Sequence, residues 1–141
     1  MPELRQVARE KLVGGSIYLE HVHASVLIEQ FRETSQYRGW VLLASAVMRN
    51  HCHAFVGVPG DPEPETLLRD FKSYGSRALN RKWPKPLSGT WWTEGGSKRK
   101  RAGELEVVRT IRYVRDQLHP LVVWVSSEGE VELQRLGERG A

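Results

Sequence analysis

The chain has 141 residues, ordinary aliphatic and aromatic content and a formal net charge of +4, which suits one soluble domain around one core. No apolar run approaches the roughly 20 residues that a membrane span needs, and the polar start Met1-Pro2-Glu3-Leu4-Arg5 lacks a signal-peptide pattern. Cys52 is the only cysteine, which excludes an intrachain disulfide and fits a reducing cytoplasm.

In chain order, residues 1–15 read as more helical than extended and end at Gly14-Gly15. Val22, Val26, Leu27 and Phe31 recur at helical spacing and predict an amphipathic helix from about Leu19 to Tyr37, ended by Gly39. Trp40 to Met48 is apolar on both faces and reads as a central strand. Arg49-Asn50 makes a tight turn into a second, antiparallel strand from His51 to Val58, which Pro59-Gly60-Asp61-Pro62 breaks. Pro64 opens another helix, with Glu63 and Glu65 at its positive end. Leu67, Leu68, Phe71, Ala78 and Leu79 form its buried stripe, and Trp83-Pro84-Lys85-Pro86 closes it. Thr90 to Thr93 reads as a short strand and Gly95 to Arg101 as a basic loop. A last helix spans about Gly103 to Leu118, with Val107, Val108, Ile111, Val114 and Leu118 toward the core. Leu121 to Val125 reads as a terminal strand. The expectation is one domain over residues 1–125, followed by a polar, frayed tail over 126–141. Helices mixed with antiparallel strands indicate an α+β class.

The charge is unevenly spread. Residues 1–68 carry 6 Lys/Arg against 8 Asp/Glu, residues 69–115 carry 13 against 4, and residues 116–141 carry 2 against 5. A solvated face mixes its signs, so a strongly basic middle flanked by acidic ends points to a polyanion, most commonly nucleic acid. The candidate contacts are Arg69, Lys72, Arg77, Arg81 and Lys82 on the helix and Lys98, Arg99, Lys100 and Arg101 in the loop. Such contacts give affinity and salt dependence but little sequence discrimination.

Strand alternation gives the histidines their interest. His51 and His53 project to one face beside Phe55, while Cys52, Ala54, Val56 and Val58 project to the other. Two imidazoles are thus delivered in parallel to share one metal ion, and Cys52 faces away. A second pair, His21 and His23, lies in a helical pattern, where residues two apart diverge by about 200°; these are read as structural or solvent-exposed. Tyr113 and Gln117 lie four apart on the last helix, with Thr110 on the same side. By themselves they read as an ordinary half-buried tyrosine and a surface glutamine.

Three segments together resemble the single-tyrosine HUH transposases of bacterial insertion sequences, the IS200-like and REP-associated tyrosine transposases. They are Arg38-Gly39-Trp40 followed by a strand and Met48-Arg49-Asn50-His51-Cys52-His53; Asp70-Phe71-Lys72-Ser73-Tyr74; and Trp91-Trp92 with Gly95-Gly96-Ser97, followed by Ile111-Arg112-Tyr113-Val114-Arg115-Asp116-Gln117. The resemblance spans about residues 19–118. It implies a ferredoxin-like antiparallel sheet packed with helices, and it implies that His51, His53 and Gln117 bind Mg²⁺ or Mn²⁺. It further implies that Tyr113 attacks a phosphodiester of single-stranded or hairpin DNA, that the product is a 5′-phosphotyrosine, and that the chain forms a homodimer, often with the tyrosine serving the partner's histidines. DNA transposition is the activity it suggests. A free tyrosine, with a pKa of about 10, is a weak nucleophile at neutral pH, and a divalent cation supplies the missing electrostatic stabilisation.

Two departures stand out. The family's usual first strand is either missing here or replaced by Leu121 to Val125, and its usual proline before the Asn-His pair is Arg49. The rival to the enzyme is therefore a truncated or domesticated, non-catalytic nucleic-acid-binding protein. Tyr74 is the rival nucleophile, and Trp91 and Trp92 are candidates for stacking on unpaired bases, with core packing expected of at least one of them.

Overall fold

A computed structural model describes residues 4–11, 18–59, 64–92, 97–101 and 103–140. Gly14-Gly15, Asp61-Pro62 and Gly95-Gly96 lie outside them. The element order is β1 (Leu4–Lys11), α1 (His21–Arg38), β2 (Val41–Val47), β3 (His51–Val58), α2 (Pro64–Asn80), β4 (Ser97–Arg101), α3 (Glu104–Arg115), β5 (Val122–Val125) and α4 (Ser127–Gly140). The described strands form one sheet in the order β4-β1-β3-β2-β5, with every pairing antiparallel. Up to β4 this is the split βαβ arrangement of a ferredoxin-like fold, in which β3 inserts between β1 and β2.

The first strand is present, which corrects the expectation that it was missing or replaced. β1 pairs with β3 from Leu4 opposite Val58 to Lys11 opposite His51. The terminal strand β5 instead extends the far edge, where it pairs with β2. Residues 97–101, expected as a loop, form edge strand β4 against β1. Thr90–Thr93 is not a strand among the described residues; Trp92 contributes only an isolated bridge.

Two apolar layers flank the sheet. Cys52, Ala54, Val56 and Val58 of β3 pack with Leu27, Ile28 and Phe31 of α1 and with Leu67, Phe71 and Leu79 of α2. On the opposite face, Phe55 packs with Val107, Val108, Ile111 and Val114 of α3. Period-two alternation on β3 thus feeds both cores. In α1 the buried stripe runs through Ala24, Leu27, Ile28 and Phe31, so Val22 is left exposed. Gly39 ends α1 in the left-handed conformation, with φ at 75°, and so supplies the expected stop.

A bulge in β2 keeps the two strands in phase. Leu42 pairs with Val56, but Ala44 pairs with Phe55, which leaves Leu43 as the extra residue. Leu42 therefore joins one core, while Leu43 and Ala44 both join the other. The bulged backbone is not left open to solvent. The Leu43 carbonyl accepts hydrogen bonds from the Ser126 backbone N–H at 3.0 Å and the Ser126 hydroxyl at 3.2 Å.

Residues 127–140 were expected to fray and instead form α4. The Ser126 hydroxyl oxygen accepts the Gly129 N–H at 2.9 Å, an N-cap interaction that satisfies one end donor of the helix. Leu133 is buried in the α3-side core. The preceding helix α3 stops at Arg115, so Leu118 is 80% exposed and does not contribute to the core stripe assigned to it. Pro120 accounts for this early stop, because the residue before a proline is disfavoured in helical geometry. No helix among the described residues is long and apolar enough to cross a membrane.

The approach of α4 to β2 is closest at Gly129, where a Cβ atom would meet the Leu43 carbonyl oxygen at 2.4 Å and a Val125 methyl at 2.9 Å. Gly129→Ala should therefore destabilise the fold by about 1–3 kcal/mol through overpacking. Urea unfolding measures this, and an unchanged midpoint would mean that α4 does not dock on the bulge.

Candidate active site

The strand β3 sets the two histidines on its α3-facing side. His53 is 2% exposed and lies opposite Ala46 of β2, whose small side chain leaves room beside the imidazole. The Ser45 hydroxyl donates to the His53 backbone carbonyl at 2.7 Å and fixes the strand at that point. His51 sits at the mouth of the turn, where the Met48 N–H donates to the His51 carbonyl at 2.8 Å. Its Nδ1–H donates to Asn50 Oδ1 at 2.7 Å, which fixes the orientation of the ring. The two imidazole centroids are 5.2 Å apart, with their planes at 83°.

Helix α3 brings the tyrosine to them. The Tyr113 ring centroid lies 5.5 Å from that of His53, edge to face at 86°, within the same chain. The tyrosine is nevertheless 59% exposed, so its hydroxyl end is accessible to a large substrate. Gln117 lies just past the helix, and its side-chain N–H donates to the Tyr113 carbonyl at 2.8 Å. With the nitrogen so engaged, the amide oxygen is the atom that remains for a ligand. Thr110 is buried, and its hydroxyl donates back to the Glu106 carbonyl at 2.8 Å, a purely helical role.

The end of α3 is braced by a bidentate ion pair. Arg115 donates through Nε and Nη2 to the two Asp116 oxygens at 2.8 and 3.0 Å. That hydrogen bonding holds the Asp116 carboxyl below its ordinary 3.8 and raises the Arg115 guanidinium. A depressed carboxyl contributes stability above its unfolded pKa and loses it as pH falls through the folded value. Both side chains are largely exposed, so water screens the contribution.

The predicted DNA contacts fall elsewhere. Arg69, Lys72 and Arg77 lie on α2, with Arg81 and Lys82 just beyond its end, and α2 covers the sheet face opposite the histidines. Lys98, Arg99, Lys100 and Arg101 lie on β4, which runs beside α2. Tyr74 is also on α2, on the far side of the sheet from His53, with Arg77 over its ring at 5.2 Å. Trp91 and Trp92 are both buried. The Trp91 indole N–H donates to Asn80 Oδ1 at 2.9 Å, and that of Trp92 is shared between the Lys72 carbonyl at 2.9 Å and the Ser76 hydroxyl at 2.7 Å. Both are core residues, so the core role expected of at least one extends to the pair and neither is placed for base stacking.

The other histidine pair is structural at His23, whose Nδ1 accepts the Glu20 N–H at 2.9 Å as a helix cap and whose ring packs 4.4 Å from that of Trp83. Sequence reasoning missed Asn50, although its place directly before His51 was the available signal. Among the described residues, no group of three or more His, Cys, Asp or Glu side chains is placed to hold a metal. The donor set that meets at β3 is the imidazole pair of His51 and His53. It suits a weakly held Mn²⁺ or Mg²⁺ whose remaining positions are filled by water or phosphate oxygens.

The contact between His53 and Tyr113 has a measurable worth. Tyr113→Ala should cost about 0.5–1.5 kcal/mol of stability, whereas Tyr113→Phe, which keeps the ring, should cost little. Equal losses in chemical denaturation would mean that the hydroxyl rather than the ring holds the helix in place.

Comparison with known proteins agrees with this architecture. The model of the family described as "Transposase IS200 like" matches residues 8–117. A search of curated proteins finds no match. Among solved structures, one similar protein is a REP-associated tyrosine transposase bound to a REP hairpin, with TM-score 0.60 and 13% identity, covering 82% of this chain. This chain spans 66% of that protein's length. A second is a protein of Deinococcus radiodurans R1 described as a candidate transposase, with TM-score 0.54 and 14% identity, covering 99% of this chain and 92% of the other. At these identities the two structures speak for the fold.

Proposed function

The chain belongs to the family of IS200-like transposases, and from that premise we propose that it cuts and rejoins single-stranded DNA through Tyr113. The observation that carries this reading is the edge-to-face contact of Tyr113 with His53, beside His51, inside one chain. That contact supports a reading in which the tyrosine serves the histidines of its own chain. Of the two departures behind the non-catalytic alternative, the absent first strand falls away with β1, while Arg49 in place of the family's usual proline stands.

In the proposed reaction the Tyr113 oxygen attacks a phosphodiester phosphorus. A Tyr Oη–P bond forms and the P–O3′ bond breaks, so the 5′ phosphate becomes tyrosyl-linked. The phenol proton passes to solvent, and the departing 3′ oxygen takes one up. A 3′-hydroxyl of a second strand can reverse the step, so rejoining needs no external energy. The imidazoles of His51 and His53 and the amide oxygen of Gln117 would hold the divalent ion, Mg²⁺ or Mn²⁺. When bound, the ion supplies charge stabilisation at the scissile phosphate. His53 holds the tyrosine ring against the strand, and Asn50 fixes the orientation of His51. The cations of α2 and β4 would track the DNA backbone. They lie around the β4 edge from the tyrosine, so a substrate that engages both has to wrap that edge.

The decisive experiment incubates labelled, hairpin-containing single-stranded DNA with protein and Mn²⁺ and looks for a covalent adduct. Wild type should form it and Tyr113→Phe should not; an adduct that persists in Tyr113→Phe excludes this nucleophile.

The role of Asn50 is tested apart from catalysis. Asn50→Ala should weaken Mn²⁺ binding roughly 10–100-fold, as loss of an outer-shell partner does. Titration followed by the electron paramagnetic resonance of free Mn²⁺ reads this directly, and unaltered binding would remove Asn50 from the site.

A further inference from the structure

Beside His51 an open cleft of about 380 Å³ is lined by Tyr18, Met48, Arg49, Asn50, His51, Leu118 and His119. We propose that this cleft is a subsite for one unpaired nucleotide next to the cleavage point, with its base stacked on Arg49 and Tyr18 and its phosphate met by Arg49 and His119. The proposal rests on the reading of the chain as a single-strand DNA transferase and adds to it a site for a base.

Four observations carry it. First, the lining offers the right chemistry. Arg49 holds its guanidinium 4.9 Å over the Tyr18 ring, which presents a flat, cationic platform of the kind on which unstacked bases lie. None of the described lining residues is acidic, so an anion enters without repulsion. The cleft is within the roughly 300–1,000 Å³ range of small-molecule sites.

Second, both walls are pinned. The Leu19 N–H donates to the Arg49 carbonyl at 2.8 Å, which fixes Tyr18 against the turn. On the other side the Leu121 N–H donates to the Val47 carbonyl at 2.9 Å, which draws the segment carrying Leu118 and His119 toward the same turn. A platform held before binding loses little entropy on binding.

Third, His119 is the one non-glycine residue with positive φ among the described residues, at 57°. Backbone strain of this kind costs of order 1–3 kcal/mol and is retained where surrounding structure enforces it, often at ligand sites. It places a histidine and the exposed Leu118 at the rim, in a segment that the helix would otherwise have continued through. Fourth, the cleft shares His51 with the candidate active site, so a nucleotide seated there adjoins the phosphate that Tyr113 attacks.

The test uses a DNA hairpin with five unpaired thymidines on each flank and the same hairpin with abasic flanks. Binding is followed by fluorescence anisotropy in the Tyr113→Phe protein with chelator present, so neither cleavage nor metal contributes. The thymidine probe should bind about tenfold more tightly than the abasic one. Tyr18→Ala and Arg49→Ala, each on that background, should abolish the preference. Arg49→Lys should restore affinity for the abasic probe but not the preference, because an ammonium keeps the charge without the plane. His119→Gly should raise the melting temperature, by relieving the backbone, and weaken DNA binding. A base preference that survives Tyr18→Ala and Arg49→Ala overturns the subsite, as does a His119→Gly protein that is more stable and binds unchanged. Adduct formation by the wild type is scored separately. Base preference without an adduct supports the cleft and counts against the transferase, while an adduct without base preference does the reverse.

Discussion

Each side chain of β3 faces either α1 and α2 or α3, and the two-residue period of the strand decides which. Cys52, Ala54, Val56 and Val58 are committed to one core and Phe55 to the other, so the histidines share a face with Phe55. A slip of one residue would put His53 among leucines and Cys52 beside Tyr113. The register is protected at several points. β1 pairs along the whole of β3 on one side. On the other side the Leu43 bulge absorbs a residue, so that Ala46 rather than a larger neighbour stands opposite His53. Ser126 then satisfies the bulged carbonyl and starts α4 in the same stroke. The position of a candidate catalytic imidazole thus depends on a helix cap 73 residues further along the chain.

The same sheet separates two kinds of chemistry. A buried imidazole, a half-buried one and an exposed tyrosine lie on the α3 face, and a cation-rich helix lies on the other. Neither layer could host both without cost. Arginine and lysine beside the imidazoles would repel a cation held there, and an α2 without its basic exterior would offer less to a polyanion. The Arg49-Asn50 turn is where the two regions come nearest in function. Asn50 holds the His51 ring, and Arg49 lies over the Tyr18 ring beside it.

The central strands and the three main helices were legible because their apolar residues keep a clear period, 2 for β3 and near 3.6 for α1, α2 and α3. The grouping of His51, His53 and Tyr113 was legible only through the combination of strand alternation and family order. What escaped has one physical cause: the elements were held by partners rather than by pattern. Arg5-Gln6-Val7-Ala8-Arg9-Glu10-Lys11 has no apolar alternation, and it becomes a strand because β3 and β4 both pair with its backbone. Ser97-Lys98-Arg99-Lys100-Arg101 has no apolar residue at all. α4 reads as a solvated tail until Gly129 and Leu133 are seen against β2 and α3. The paired tryptophans were only half legible: large aromatic residues beside a basic run suit a base platform as well as a core, and their burial and indole hydrogen bonds to Asn80, Lys72 and Ser76 assign both to the core.

An edge strand is a hazard as well as a resource, because its outer backbone groups invite another chain to add itself. At β4 that edge is written as four consecutive cations. Two copies meeting edge to edge there would bring eight positive charges into register, so the strand resists self-association for as long as it is bare. A bound polyanion cancels that repulsion. A run of charge suited to a polyanion therefore also governs aggregation, and the protein should be most soluble alone and most prone to cluster when a polyanion saturates that edge.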